Sequence, residues 1–197
     1  MASYVTTGFS LPYVALYSNT GGVTSYASGQ LLARGVSVAV SPDTVDDNNF
    51  YADNILAESE TGAISGGTIT LTVDGVSNAA RRLIYGLPAA ATTGTYSGWT
   101  AYGDEATMPP VGIGFVRRVM YQGATSYQAV VFPKCIFKFD PEDAATQEDQ
   151  ISWQTKALEA NFLRDDTSHH NWKYVHETDF STEALAEAAV KALLNIT

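Results

Sequence analysis

One cysteine, Cys135, stands in a chain of 197 residues. No intrachain disulfide can form, so the stapled framework of a small secreted domain is excluded. Charge is scarce too. Asp, Glu, Lys and Arg supply 16% of the residues, below the usual quarter. Bases are scarcest: eleven Lys and Arg face twenty-one acids, for a formal net charge of −10. Gripping a nucleic-acid backbone takes many phosphate-neutralising bases, which argues against direct binding of DNA or RNA. No run approaches the ~18 consecutive apolar residues of a membrane-spanning helix. The opening MASYVTTGFSLPYVALY lacks a basic segment and a long apolar core, and predicts no secretory signal.

Catalytic signatures are missing as well. His169, His170 and His176 lie near Asp165, Asp166 and Asp179, but no HExxH and no Cys pair gives them a ligand spacing. There is no GxSxG elbow. Cys135 alternates with Phe137 and Phe139, the place of a small buried hydrophobe rather than of an activated thiolate. Gly112-Ile113-Gly114 lacks the third glycine of a phosphate cradle and opens no helix. No catalytic, cofactor-binding or metal-ligating residue is assigned, and no cofactor. The expectation is a protein that builds something and is not an enzyme.

What is present is strand pattern, within one domain over residues 1–197. Residues 1–12 read as an extended arm ending at Pro12. Tyr13 to Tyr17 is a short apolar run closed by Ser18-Asn19-Thr20-Gly21-Gly22. Val36, Val38 and Val40 share one face of a strand, and Ile69, Leu71 and Val73 one face of another. Between them lies a long acidic loop, about 42–65, with six acids and no base from Asp43 to Gly62. Phe50, Tyr51, Ile55 and Leu56 within it suit a protruding hairpin or loop that meets a neighbour, since a solvated loop has little use for them.

Ser77 is placed to cap a short helix that stops at Gly86. Residues 88–108 form a long loop carrying Tyr96, Trp99 and Tyr102, as satellite-core anchors or as contact residues. Residues 109–140 read as three successive strands. Val111, Ile113, Phe115, Val119 and Tyr121 share one face, with Phe137 and Phe139 also inward. Gly112, Gly114, Arg118, Lys134 and Lys138 lie outward, where a neighbour's acids could dock. Arg117 falls on the apolar row without a sequence rule to explain it. A strand is expected from Ile151 to Phe162, and a short one at Trp172 and Tyr174. The last helix is expected from Ser181 to Leu194, capped by Ser181 and stapled by Phe180 onto Leu185. Its stripe is Leu185, Ala188, Ala189, Ala192 and Leu193. The fold class is mainly β: a β-sandwich or partly closed barrel of two antiparallel sheets, with a short central helix and a C-terminal helix.

Several stretches in order carry a family resemblance. They are FYADN at 50–54, GGTITLTV at 66–73 before a helix ending LIYG, PPVGIGFVRR at 109–118, FPKCIFKFDPEDAATQEDQISWQT at 132–155, and the late acidic helix. Over most of its length the chain resembles the major tail proteins of long-tailed bacteriophages, the subunits of the tail tube. The resemblance implies a structural virion protein, assembled in the host cytoplasm, whose six-membered rings stack into a hollow tube. Its partners would be further copies of itself, a tape-measure protein, and tail-tip and tail-terminator proteins. DNA would be a passenger in a negative lumen, and no membrane is involved. Candidate subunit-interface residues are Phe50, Tyr51, Ile55, Leu56, Trp99, Arg118, Lys134 and Lys138. Other readings are a single-ring virion protein (tail terminator or head completion) and a carbohydrate-binding β-sandwich module using Tyr96, Trp99 and Tyr102.

Overall fold

The computed structural model describes residues 4–60, 62–104, 106–142 and 154–197. Its strands are β1 (Tyr4–Thr20), β2 (Val23–Leu31), β3 (Gly35–Thr44), β4 (Asn48–Ala52), β5 (Ile55–Glu60) and β6 (Ile64–Val73). After helix α1 (Asn78–Tyr85) come β7 (Val111–Tyr121), β8 (Ala124–Phe137), β9 (Lys156–Leu163), β10 (Tyr174–Val175) and helix α2 (Glu183–Leu193). The protein is mainly β, with two antiparallel sheets. The larger runs β2-β1-β7-β8-β9-β6-β3, with β10 added on β8; the smaller is the β4-β5 hairpin. The large sheet does not close into a barrel. It curls instead. Phe9 of β1 lies so close to Gly35 of β3 that a Cβ at Gly35 would sit 2.3 Å from the ring, although β1 and β3 are far apart in strand order.

The curl encloses the main core. Val14, Ile69, Leu71, Ile113, Phe115, Phe132, Cys135, Phe137, Leu158 and Phe162 meet there, and Ala80, Ile84 and Tyr85 of α1 join them. Ser77 caps α1 by accepting from the Ala80 N–H at 3.2 Å. Gly86 ends it with φ 62°. Both ends lie where turn chemistry predicts.

A second core covers the outer face of β1, β7 and β8. Tyr13, Ala15, Tyr17, Val116, Ala129 and Val131 pack there against Ala186, Val190 and Leu194 of the α2 segment. The outward face of β7 is therefore not free for a neighbour. Its glycines are the seat of α2: a Cβ on Gly114 would lie 2.6 Å from Val190, and one on Gly112 2.7 Å from Leu194. The buried stripe of α2 is Ala186, Val190 and Leu194, one position on from the expected one. Leu185 and Leu193 are exposed, and the cap is Thr182, which accepts from the Leu185 N–H, rather than Ser181.

Three bulges explain other departures. In β1, Ser10 pairs with Val116 and Tyr13 with Gly114, so β1 carries one extra residue, with Leu11 at φ 54°. A second extra residue lies between Thr6 and Gly8. In β8, Val111 faces Cys135 while Ile113 faces Phe132, which puts an extra residue at Pro133 and Lys134. Proline lacks an N–H for the ladder, and inside a sheet a bulge is one of the few places it fits. Each extra residue swaps the two faces of the strand. Thus Ala129 and Val131 point to the outer core, but Cys135 and Phe137 to the inner one.

The expected arm is not free. Residues 4–10 pair with β7 from Tyr121 back to Val116, and the rest of the stretch continues β1. Phe139 and Tyr121 are exposed, at 53% and 45%. β8 has ended by Phe139, whose ring leans on Tyr85 at 5.0 Å. Val36, at 55% exposure, sits in a bulge of β3, and Val38 alone of the three valines packs on the core. The expected strand at 151–162 begins at Lys156; Ile151 and Trp153 lie outside the described residues. β2 was not foreseen, because TSYASGQ shows no apolar alternation.

Register also fixes what sits at each end. β6 starts where β9 ends (Gly67 opposite Phe162), and β8 runs on past that point back to Ala124. One end therefore carries Tyr4, the β7–β8 turn and the stem of the β4–β5 hairpin. The other carries α1 and the 88–108 loop.

Candidate assembly surfaces

The long acidic loop is a hairpin on a short stem. β3 and β6 stay paired out to Thr44 and Ile64, and the Val45 N–H donates to the Ala63 carbonyl at 3.0 Å. Asp47 Oδ1 accepts from the Gly62 N–H at 2.9 Å and ties the stem. Asp53 and Asn54 turn the chain with φ of 54° and 63°. Two left-handed residues form the turn whose twist matches two antiparallel strands, and Asn and Asp tolerate that conformation best among residues with a Cβ. The hairpin stands away from the body. Phe50 and Tyr51 are each 62% exposed, Ile55 67% and Leu56 53%.

Trp99 is 72% exposed in the 88–108 loop, beside Tyr96 and Tyr102. That loop is folded on itself, with the Ala91 N–H donating to the Trp99 carbonyl and the Gly98 N–H to the Ala91 carbonyl. Its aromatics point to solvent rather than anchoring a satellite core.

The three basic candidates divide. Lys134 donates to both oxygens of Asp166 at 2.8 Å. The Lys134 ammonium and then the Tyr17 hydroxyl hold the Asp166 carboxyl below its ordinary pKa. Lys138 pairs with Glu159 across β8 and β9. Both cations are neutralised within the chain. Arg118 remains exposed and, among the described residues, reaches the Thr125 hydroxyl at 3.5 Å and no carboxylate.

Cys135, Asp165 and His176 each have a structural setting. Cys135 is buried, and burial pushes its thiol well above the ordinary range. Asp165 is 2% exposed and organises the turn after β9. It accepts from the Thr167 hydroxyl, the Asn171 N–H and the Tyr174 hydroxyl. His176 faces the Thr178 carbonyl at 2.8 Å and packs on Phe180 at 4.4 Å. Among the described residues, no three His, Cys, Asp or Glu side chains converge as metal ligands would. A hollow of 510 Å³ lies between β8, β10 and α2 and is lined mostly by apolar side chains, among them Ala129, Val131, Ala189, Ala192 and Leu193.

No family model matches the chain, and no curated protein matches it.

Proposed function

We propose that the chain is a structural subunit that polymerises as stacked rings into a phage tail tube. The observation that carries the reading is the β4–β5 hairpin. Four large apolar side chains on a two-stranded ribbon are more than half exposed and join neither core among the described residues. Isolated two-stranded ribbons are marginal in water, so this one gains from a surface to lie on. The open sheet adds to the case. Among the described residues, β2 and β3 each leave one edge unpaired, and such edges invite a further strand from another copy. Two different edges meeting make a head-to-tail contact, which closes into a ring when the rotation fits. The acidic balance would keep a passing duplex from adhering to the bore.

Replacing both Phe50 and Tyr51 by Ser is expected to leave the monomer folded and stop tube growth. Circular dichroism and negative-stain microscopy of concentrated protein check both halves. Tubes of ordinary length from this variant would overturn the reading. Isolated single rings from the wild type would favour a terminator or head-completion role. The exposed Tyr96, Trp99 and Tyr102 favour the second class, a carbohydrate-binding module. Saturable quenching of tryptophan emission by oligosaccharides, lost in Trp99→Ala, would support that class instead.

A further inference from the structure

Arg117 interrupts the apolar row of β7, and its surroundings give it a role. It pairs with Phe9 on one side and Gln128 on the other. Its Nη2 donates to Gln128 Oε1, while its Nε is buried with no acceptor among the described residues. Nearby, Lys173 holds its Nζ 5.8 Å from the centres of both the Phe132 and Trp172 rings. Burial, then the charge of Arg117, pull the Lys173 pKa below its ordinary value. Two half-buried cations therefore oppose each other in the single chain. Trp172 also lines a 350 Å³ hollow with Ile64, Arg164, His169 and His170. There Arg164 donates through Nε and Nη2 to the Ile64 carbonyl.

The rest of the protein treats its bases differently. Among the described residues, six of the eleven have a carboxylate partner: Arg34, Arg81, Lys134, Lys138, Lys156 and Lys191. Of the other five, Lys173 lies over the Trp172 ring, Arg164 shares the hollow that Trp172 lines, and Arg117 acts by its charge on Lys173. Among the described residues, the carboxylate that Arg117 reaches is Asp179, and it is an amide away. Gln128 Nε2 donates to its Oδ1 at 3.3 Å, and the Tyr4 and Ser126 hydroxyls donate to its Oδ2. Cations around Trp172 that meet no carboxylate among the described residues, in a chain of net charge −10, are set for acids from outside.

The chain itself supplies such acids. Asp43, Asp46, Asp47, Asp53, Glu58 and Glu60 lie on the hairpin and its stem, with no base between Gly35 and Ala80. None of the six forms an ion pair among the described residues. The same hairpin carries the exposed aromatic and aliphatic side chains that would meet Trp172. Hairpin stem and cationic face lie at the same end of the molecule, since Arg164 bonds to Ile64, the first residue of β6. In copies that point the same way, two features at the same end meet side by side, not end to end.

We propose that the cationic face around Trp172, made by Arg117, Arg164 and Lys173, receives the acidic β4–β5 hairpin of the next copy within one ring. The proposal rests on the tube reading for its ring of parallel copies. Its test is a charge swap. Arg164→Glu with Lys173→Glu is expected to cut the assembled fraction about tenfold or more. Asp53→Lys with Glu58→Lys is expected to do the same, and the four changes in one chain to restore most of it. The thermal midpoint of the unassembled Lys173→Met variant is expected to stay level or rise, because an opposed cation has gone. Its assembly is expected to fall, which a purely structural lysine would not produce. Wild-type tubes that tolerate either reversal, or a combined variant no better than its parents, would sink the docking and leave the tube standing. If the wild type forms no tube, mixed Asp53→Cys and Lys173→Cys copies decide. A disulfide-linked heterodimer sustains the docking and removes the tube; its absence removes both.

Discussion

Asp140 shows how a single carboxylate joins separate parts of this fold. It follows β8, accepts from the Tyr85 hydroxyl of α1, and has the Lys156 ammonium of β9 at 2.6 Å from Oδ2. Burial alone would raise its pKa, but Lys156 and Tyr85 outweigh that and hold it below the ordinary carboxyl value of 3.8. A lowered folded pKa means that the charge stabilises the fold above the ordinary value. The contribution is lost as the pH falls through the lower, folded one. Asp140→Asn is expected to cost about 1–3 kcal/mol at pH 7. The loss should vanish in acid, below both values, so urea midpoints of variant and wild type should converge there. A constant difference down to pH 2 would refute it. Individual side chains were partly legible in sequence. Cys135 and Phe137 read correctly as core, since they alternate on one strand. Arg117 did not, because alternation says which way a residue points and nothing of whether its charge is met.

At the scale of elements, α1 declared itself through its ends. Ser77 and Gly86 bracket α1 because a cap oxygen and a left-handed glycine are local requirements. α2 was found but rotated by one position, since alanines dominate its sequence and leave several stripes nearly equal in hydrophobicity. What selects among them is the seat on β7, a long-range fact. Gly114→Ala tests that seat. The added Cβ would lie 2.6 Å from Val190 and 3.0 Å from Leu194. Overpacking of this kind costs about 1–3 kcal/mol. A lower thermal midpoint is expected, recovered in part by Val190→Ala. An unchanged midpoint would mean that α2 can shift without loss. The hairpin was legible as a feature, through four large apolar residues among acids, though its strands were not. Their alternation is weak because both faces are exposed.

For the whole molecule, the mainly β class and the flanking helices followed from strand patterning and helix caps. The curl did not. No local signal says that β1 comes to lie beside β3, and that contact turns a long sheet into a container. The two free edges follow from the same open arrangement. On β3, Val36 is 55% and Val40 36% exposed at the margin. Changing both to Lys is expected to leave the monomer's melting curve nearly unmoved and to prevent rings, since charged edges resist strand addition. Sedimentation velocity would show a monomer where the wild type shows large species. Rings from this variant would exclude β3 as a joining edge.

The bulges of β1 and β8 have a consequence for how such a chain can change over generations. Each acts as a frame marker: the residues on either side of it are read in opposite phase by the two cores. Losing one residue near Leu11 would turn Tyr13, Val14 and Ala15 inside out together, and losing one near Pro133 would do the same to Cys135 and Phe137. Point replacements along these strands are judged one at a time. A one-residue gain or loss is judged on a whole half-strand at once. Length, more than identity, should be the property this lineage can least afford to drift.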